Sequence, residues 1–238
     1  MSVDHSQLST KEKLAYAKQG VLNTVQGFDI IISNFLNYFK NCGFAEEDNR
    51  HYNLSMILQT LIYTKFQREI FIEEIDSENK KIEKYLSGLG ERNLYGFLEQ
   101  FDIYNRATFA TLFNFQFEMI FKGILEEMNV EPESDDYYFT VKSLVDEIYS
   151  DEEEKTKKRR ILMTMAQIRN SLHLSGKHTS KYEFEIELEG VQFKFETGKQ
   201  INQTSWGHLF IISNAMLLIL IEILSSQKVK DIPFINKK

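Results

Sequence analysis

Gln167-Ile168-Arg169-Asn170-Ser171-Leu172-His173-Leu174-Ser175-Gly176 closes a segment in which Ile161, Met165, Ile168 and Leu172 step by four, three and four. That spacing is one apolar stripe of an α-helix. Arg169 and His173 are four residues apart, so they share a helix face one turn apart, with Asn170 beside them. Each follows one residue after a stripe position, about 100° round the helix. A side chain there, at the edge of a packed interface, can be held firmly and still reach solvent. A permanent cation, an amide and a titratable imidazole together suit a phosphodiester. Arg neutralises phosphate oxygens bidentately, and His moves a proton near neutral pH. The same residues also suit a purely structural last turn, where cations meet the carbonyl end of the helix dipole and Gly176 ends the helix.

Upstream, Ser150 is expected to cap this helix. Asp151, Glu152, Glu153 and Glu154 fill its first turn, and Lys155, Lys157, Lys158, Arg159 and Arg160 follow as the densest positive cluster of the chain. Downstream the period changes from 3.6 to 2. Tyr182, Phe184, Ile186 and Leu188 alternate with glutamates, and Val191, Phe193 and Phe195 follow a Glu189-Gly190 pair. This predicts a β-hairpin over about 181–197, with Leu188 opposite Val191, Ile186 opposite Phe193 and Phe184 opposite Phe195. Its apolar face must pack on helices, leaving Glu183, Glu185 and Glu187 outward.

The remaining chain reads as helices. From Ser9, with Glu12 at capping-box spacing, an apolar pattern runs to about Asn41 and stops at Gly43. Gly20 and Gly27 share one face of it and would admit a close neighbour. A second helix is expected from Glu46–Arg50 towards the charged stretch Glu73 to Lys84, which reads as a solvated face. Gly88, Gly90 and Gly96 predict a break. After it Asn105 to Met128, rich in phenylalanine, should be the most buried helix of the bundle. An acidic loop with Pro132 and a helix from about Tyr137 to Tyr149 come next. Ser205 should cap a last apolar helix, too interrupted by Ser213, Asn214 and Glu222 to span a membrane and better suited to the core or a dimer surface. The tail from Lys228 reads as a loosely held basic end.

Composition agrees with one mainly helical domain over 1–238. Of 238 residues 42% are apolar and 13% aromatic, and only Pro132 and Pro233 interrupt. The net charge of -7 excludes attraction to nucleic acid by a global field, so any such contact must be local. A single cysteine, Cys42, excludes an intrachain disulfide and fits a reducing cytoplasm, and the polar N-terminus lacks a signal peptide's apolar core. His5, His51 and His208 are scattered, and His173 and His178 lack nearby carboxylate or cysteine ligands at helical spacing, so no metal or other cofactor is expected. Neither a nucleophile elbow nor a phosphate-cradling glycine loop occurs.

The Arg169, Asn170 and His173 helix, set in an aromatic bundle and followed by a hairpin and an apolar final helix, resembles HEPN-domain proteins. The resemblance implies a HEPN-like helical bundle and metal-independent endoribonuclease activity at the cleft of a homodimer, of the toxin or antiviral defence type. Arg169 matches the family's Arg, Asn170 its polar residue and His173 its His. The family pattern places four to six residues between Arg and His, and here three intervene. On this reading Lys157, Lys158, Arg159 and Arg160 guide the RNA backbone. Two alternatives stand beside it: a noncatalytic HEPN-like module that binds RNA or a protein partner, and a structural helical adaptor that oligomerises through its last helix.

Overall fold

The computed structural model describes residues 10–76, 90–173 and 177–235. Among them seven helices and one antiparallel hairpin follow in order: α1 (Thr10–Asn41), α2 (Asn49–Asp76), α3 (Gly90–Glu127), α4 (Tyr137–Ile148), α5 (Glu152–His173), β1 (Phe184–Leu188), β2 (Val191–Phe195), α6 (Trp206–Ser225) and α7 (Gln227–Lys230). The fold is therefore mainly helical, with the hairpin before the final apolar helix. α1 packs on α2 and α6, α2 on α3, and α5 lies among α3, α4, α6 and β1.

The hairpin has the expected register, pairing Phe184 with Phe195, Ile186 with Phe193 and Leu188 with Val191. Glu189 and Gly190 have φ of 51° and 75°, as a two-residue turn of the type matching strand twist requires. Phe193 and Phe195 are buried, whereas Glu183, Glu185 and Glu187 are exposed. Ser205 caps α6 in a capping box: its Oγ accepts from the His208 N–H, and His208 Nδ1 accepts from the Ser205 N–H. Burial holds the His208 imidazole below its usual range. α6 is long and apolar enough to cross a membrane by length and composition, yet half of its apolar window is buried within the fold.

Several expectations need correction. The cap of α5 is Asp151, not Ser150, because the helix begins at Glu152 and Asp151 Oδ1 accepts from the Glu154 N–H at 2.7 Å. α3 begins at Gly90 and runs through Gly96, well before Asn105. One glycine costs a helix about 1 kcal/mol relative to Ala, which burial of Leu98 and Phe109 on the same helix outweighs. The description of α2 ends at Asp76, so most of the charged stretch up to Lys84 lies outside the described residues, as do Ser9, Gly88 and Gly176.

α5 is enclosed through its middle, and α3 keeps one open face. Ile161 to Ile168 are all buried, whereas α3, flanked by α2 and α5, leaves Tyr104, Leu112, Phe115 and Met119 exposed. The tail is also docked. Val229, Ile232 and Ile235 are buried, and Ile235 accepts from the Asn49 N–H at 2.8 Å.

Two ion pairs with buried guanidiniums fasten these layers. Asp48 and Arg50 are almost fully enclosed and bonded through Asp48 Oδ2 and Arg50 Nη2 at 2.6 Å, and Arg50 Nη1 donates to the Val229 carbonyl at 3.0 Å. Asp102 Oδ1 accepts from Arg68 Nη2 at 2.7 Å and from Trp206 Nε1 at 2.9 Å, joining α2, α3 and α6.

The two glycines of α1 separate cleanly. A Cβ at Gly27 would lie 2.3 Å from Phe210 Cε2, and that ring is wedged edge-on against Phe28 at 4.9 Å. A Cβ at Gly20 meets nothing within 4 Å among the described residues. Gly27→Ala is therefore expected to lose about 1–3 kcal/mol through overpacking. Gly20→Ala is expected to gain up to about 1 kcal/mol of helix propensity. Urea unfolding of the two variants checks this, and shifts of the same sign would contradict the close approach at Gly27.

Candidate functional site

α5 is placed from its start by the Asp151 cap, the Lys155–Glu152 ion pair at 2.6 Å and three glutamates in the first turn. Its middle is buried on every side even though it carries Thr164, Gln167 and Ser171. Thr164 Oγ1 donates to the Arg160 carbonyl and Ser171 Oγ to the Gln167 carbonyl, both at 2.8 Å, so these hydroxyls are satisfied within the helix. The enclosure fixes the azimuth of the helix, and with it where its last turn points.

In that last turn Arg169 is partly exposed and Asn170 exposed. Asn170 Oδ1 accepts from Arg169 Nε at 3.1 Å and from Nη2 at 3.0 Å. The guanidinium is thus oriented by a neutral amide rather than neutralised by a carboxylate, and it forms no ion pair among the described residues. Among the described residues no hydrogen bond engages Nη1. The field of Arg169 also reaches Tyr137 on α4. Burial pushes that hydroxyl far above its usual range and Glu118 adds to the shift, while Arg169 opposes it. His173 is the final described residue of the helix, one turn beyond Arg169, and its side chain lies outside the described side chains.

The four basic candidates divide. Lys158 bonds Glu222 and lies 5.3 Å over the Tyr149 ring, and Arg159 bonds Asp146, so acids on α6 and α4 already neutralise these two. Lys157 and Arg160 form no ion pair with a carboxylate among the described residues. Among the described residues Arg160 Nη1 reaches only the Glu185 carbonyl, at 3.4 Å. His178, outside the helix, is structural: it is buried, its Nε2 lies 3.1 Å from the Tyr182 carbonyl, and its ring leans on Phe195.

Beside α5 lies a recess of about 360 Å³ closed by α4 and the strand-leading segment of the hairpin. Sequence reasoning missed its Tyr138, Gln167, Lys181 and Tyr182. The available signal was the spacing of Thr156, Arg160, Met163, Gln167 and Asn170 at four, three, four and three, a second stripe beside the apolar seam. Among the described residues no group of three His, Cys, Asp or Glu side chains converges to hold a metal ion. Compared with known proteins, the chain matches no family model, no curated protein and no solved structure.

Proposed function

We propose that this chain is a HEPN-like, RNA-directed protein that cleaves RNA without a metal, as a homodimer meeting across the end of α5 or across α6. The observation that carries the reading is Arg169: a partly exposed guanidinium on a rigid helix, aimed by Asn170 and free of any carboxylate partner among the described residues. Leaving a cation without a counter-charge suits an anionic ligand, and a fork of donors suits phosphate oxygens.

In the proposed reaction a ribose 2′-hydroxyl attacks the adjacent phosphorus. His173 moves the proton, Arg169 stabilises the charge on the phosphorane, and Asn170 keeps the guanidinium in place. One His per chain cannot serve at once as base and acid, and a two-fold dimer brings a second copy to the same cleft. Lys157 and Arg160 are the cations of the basic cluster left to attract the RNA backbone.

The test is cleavage of mixed single-stranded and structured RNA in excess chelator, with Arg169→Ala and His173→Ala alongside and folding monitored by thermal melts. Cleavage by the wild type that both variants lose supports the reading. An inert wild type whose Arg169→Ala form also unfolds more easily supports the alternative, in which these residues are architectural and the chain is a binding module.

A further inference from the structure

We infer that the recess between α5, α4 and the hairpin is a binding subsite for one nucleotide of a single-stranded RNA, with Arg160 and Lys181 on the phosphate and the Tyr138–Tyr182 pair against the base. This deepens the function proposed above and rests on it for the identity of the polymer.

The charge comes first. Arg160 and Lys181 line the recess without a carboxylate partner among the described residues; Lys181 Nζ lies only over the Tyr182 ring, at 5.5 Å. Arg159 is neutralised by Asp146. The rim carboxylate, Glu183, is committed to the Thr197 N–H at 2.9 Å and partly offsets the two cations. Two free cations against one engaged carboxylate leave the recess suited to a single anionic group.

A planar partner fits beside it. Tyr138 and Tyr182 are stacked at 4.7 Å and 17°, and His178 holds the Tyr182 backbone in place through its carbonyl. Stacking on such rings is tolerant of base identity. Gln167 supplies an unpaired acceptor. It lines the recess, is 3% exposed, and its Oε1 has no hydrogen-bond partner among the described residues. A buried acceptor left unpaired is costly, and an N–H on a base edge would satisfy it. The volume is at the small end of ligand pockets, which run from about 300 to 1,000 Å³, so it suits one nucleotide and not a folded element.

Position ties the recess to the candidate site. Gln167 and Asn170 are three residues apart on one stripe of α5, a rise of about 4.5 Å. A strand with one nucleotide in the recess would therefore run along α5 towards Arg169. An acidic peptide would use the same cations, but it offers neither a planar base for the tyrosines nor a base edge for Gln167.

The experiment measures binding apart from cleavage. A labelled 2′-O-methyl RNA decamer, which has no attacking hydroxyl, is titrated with the full chain by fluorescence anisotropy in chelator at two salt concentrations. Tyr182→Ala is expected to weaken binding about 5- to 100-fold, the loss of one stacked base. Tyr182→Phe, which keeps the ring, is expected to bind as the wild type. Arg160→Gln with Lys181→Gln is expected to weaken binding and to lower the slope of log affinity against log salt by about 0.7, for the one phosphate the two cations hold together. Wild-type affinity in both Tyr182→Ala and the double variant would overturn the subsite, as would tighter binding of a polyglutamate peptide than of the decamer. Recess-dependent binding by a protein that cleaves no RNA would uphold the subsite and remove the nuclease. Cleavage of RNA by recess variants that also bind as the wild type would do the reverse.

Discussion

His173→Ala, in protein that melts as the wild type does, is expected to lose about 10²- to 10⁴-fold of the metal-free cleavage rate, the range for removing a general acid or base. Arg169→Ala should cost a similar amount, about 10²- to 10³-fold, because it removes a donor aimed at developing phosphorane charge. Arg169→Lys separates charge from geometry. It keeps the cation and loses the fork that Asn170 Oδ1 now engages through Nε and Nη2, so only part of the rate should survive. Single-turnover cleavage with thermal melts checks all three. Retention of the wild-type rate in folded His173→Ala would remove the acid–base role.

Asp48→Asn is expected to destabilise the chain by about 3–5 kcal/mol, because it leaves the Arg50 guanidinium buried without its counter-charge. Both side chains are 2–3% exposed. Arg50 also donates to the Val229 carbonyl and Asp48 Oδ2 accepts from the Ile235 N–H, so the loss should release the docked tail. Burial alone would raise the Asp48 carboxyl. The Arg50 hydrogen bonds and charge, with the backbone N–H groups, outweigh it and hold the carboxyl below its usual range. A carboxyl whose folded value is lower than its unfolded value, about 3.9, contributes stability that is complete above about pH 4 and lost as pH falls through the folded value. Urea unfolding at a series of pH values should show the wild type weakening below about pH 4 and the variant with a flatter profile there. A variant within about 0.5 kcal/mol of wild type at neutral pH, the range of an ordinary surface change, would contradict the structural role of the pair.

The elements legible in the sequence are those whose determinants are local. The hairpin needed only the period-2 pattern and a Glu189-Gly190 turn, and its register followed because a one-residue slip would have turned Phe193 and Phe195 to solvent. The Ser205 cap and the stop at Gly43 were equally local. What misled was averaged composition. The phenylalanines of α3 suggested burial all round, yet Phe115 is half exposed, because a helix flanked by α2 and α5 keeps an outer face. In α5 the apolar stripe was legible, but the burial of Thr164 and Ser171 beside it was not, since these hydroxyls bond to their own backbone and allow enclosure.

For the site, the sequence set Arg169 beside Asn170, and the two are hydrogen-bonded, while the His173 side chain lies outside the described side chains. Their neighbourhood was not legible, since Tyr138 and Tyr182 meet across 44 residues of sequence, counting from 138 to 182. Nor could spacing tell which cations of the basic cluster are already paired. The acids that engage Lys158 and Arg159 come from α6 and α4, so only the packed structure leaves Lys157 and Arg160 free of carboxylates among the described residues.

The measurement closest to the central claim is the chemistry of the cleaved ends. Attack by a 2′-hydroxyl breaks the bond from phosphorus to the 5′-oxygen, leaving a 2′,3′-cyclic phosphate on one fragment and a 5′-hydroxyl on the other. The wild type, incubated in chelator with an RNA and with its 2′-deoxy counterpart, is predicted to give those ends from the RNA and to leave the deoxy strand intact. No cleavage of the RNA, fragments carrying 5′-phosphates, or cutting of the deoxy strand would contradict the proposed mechanism.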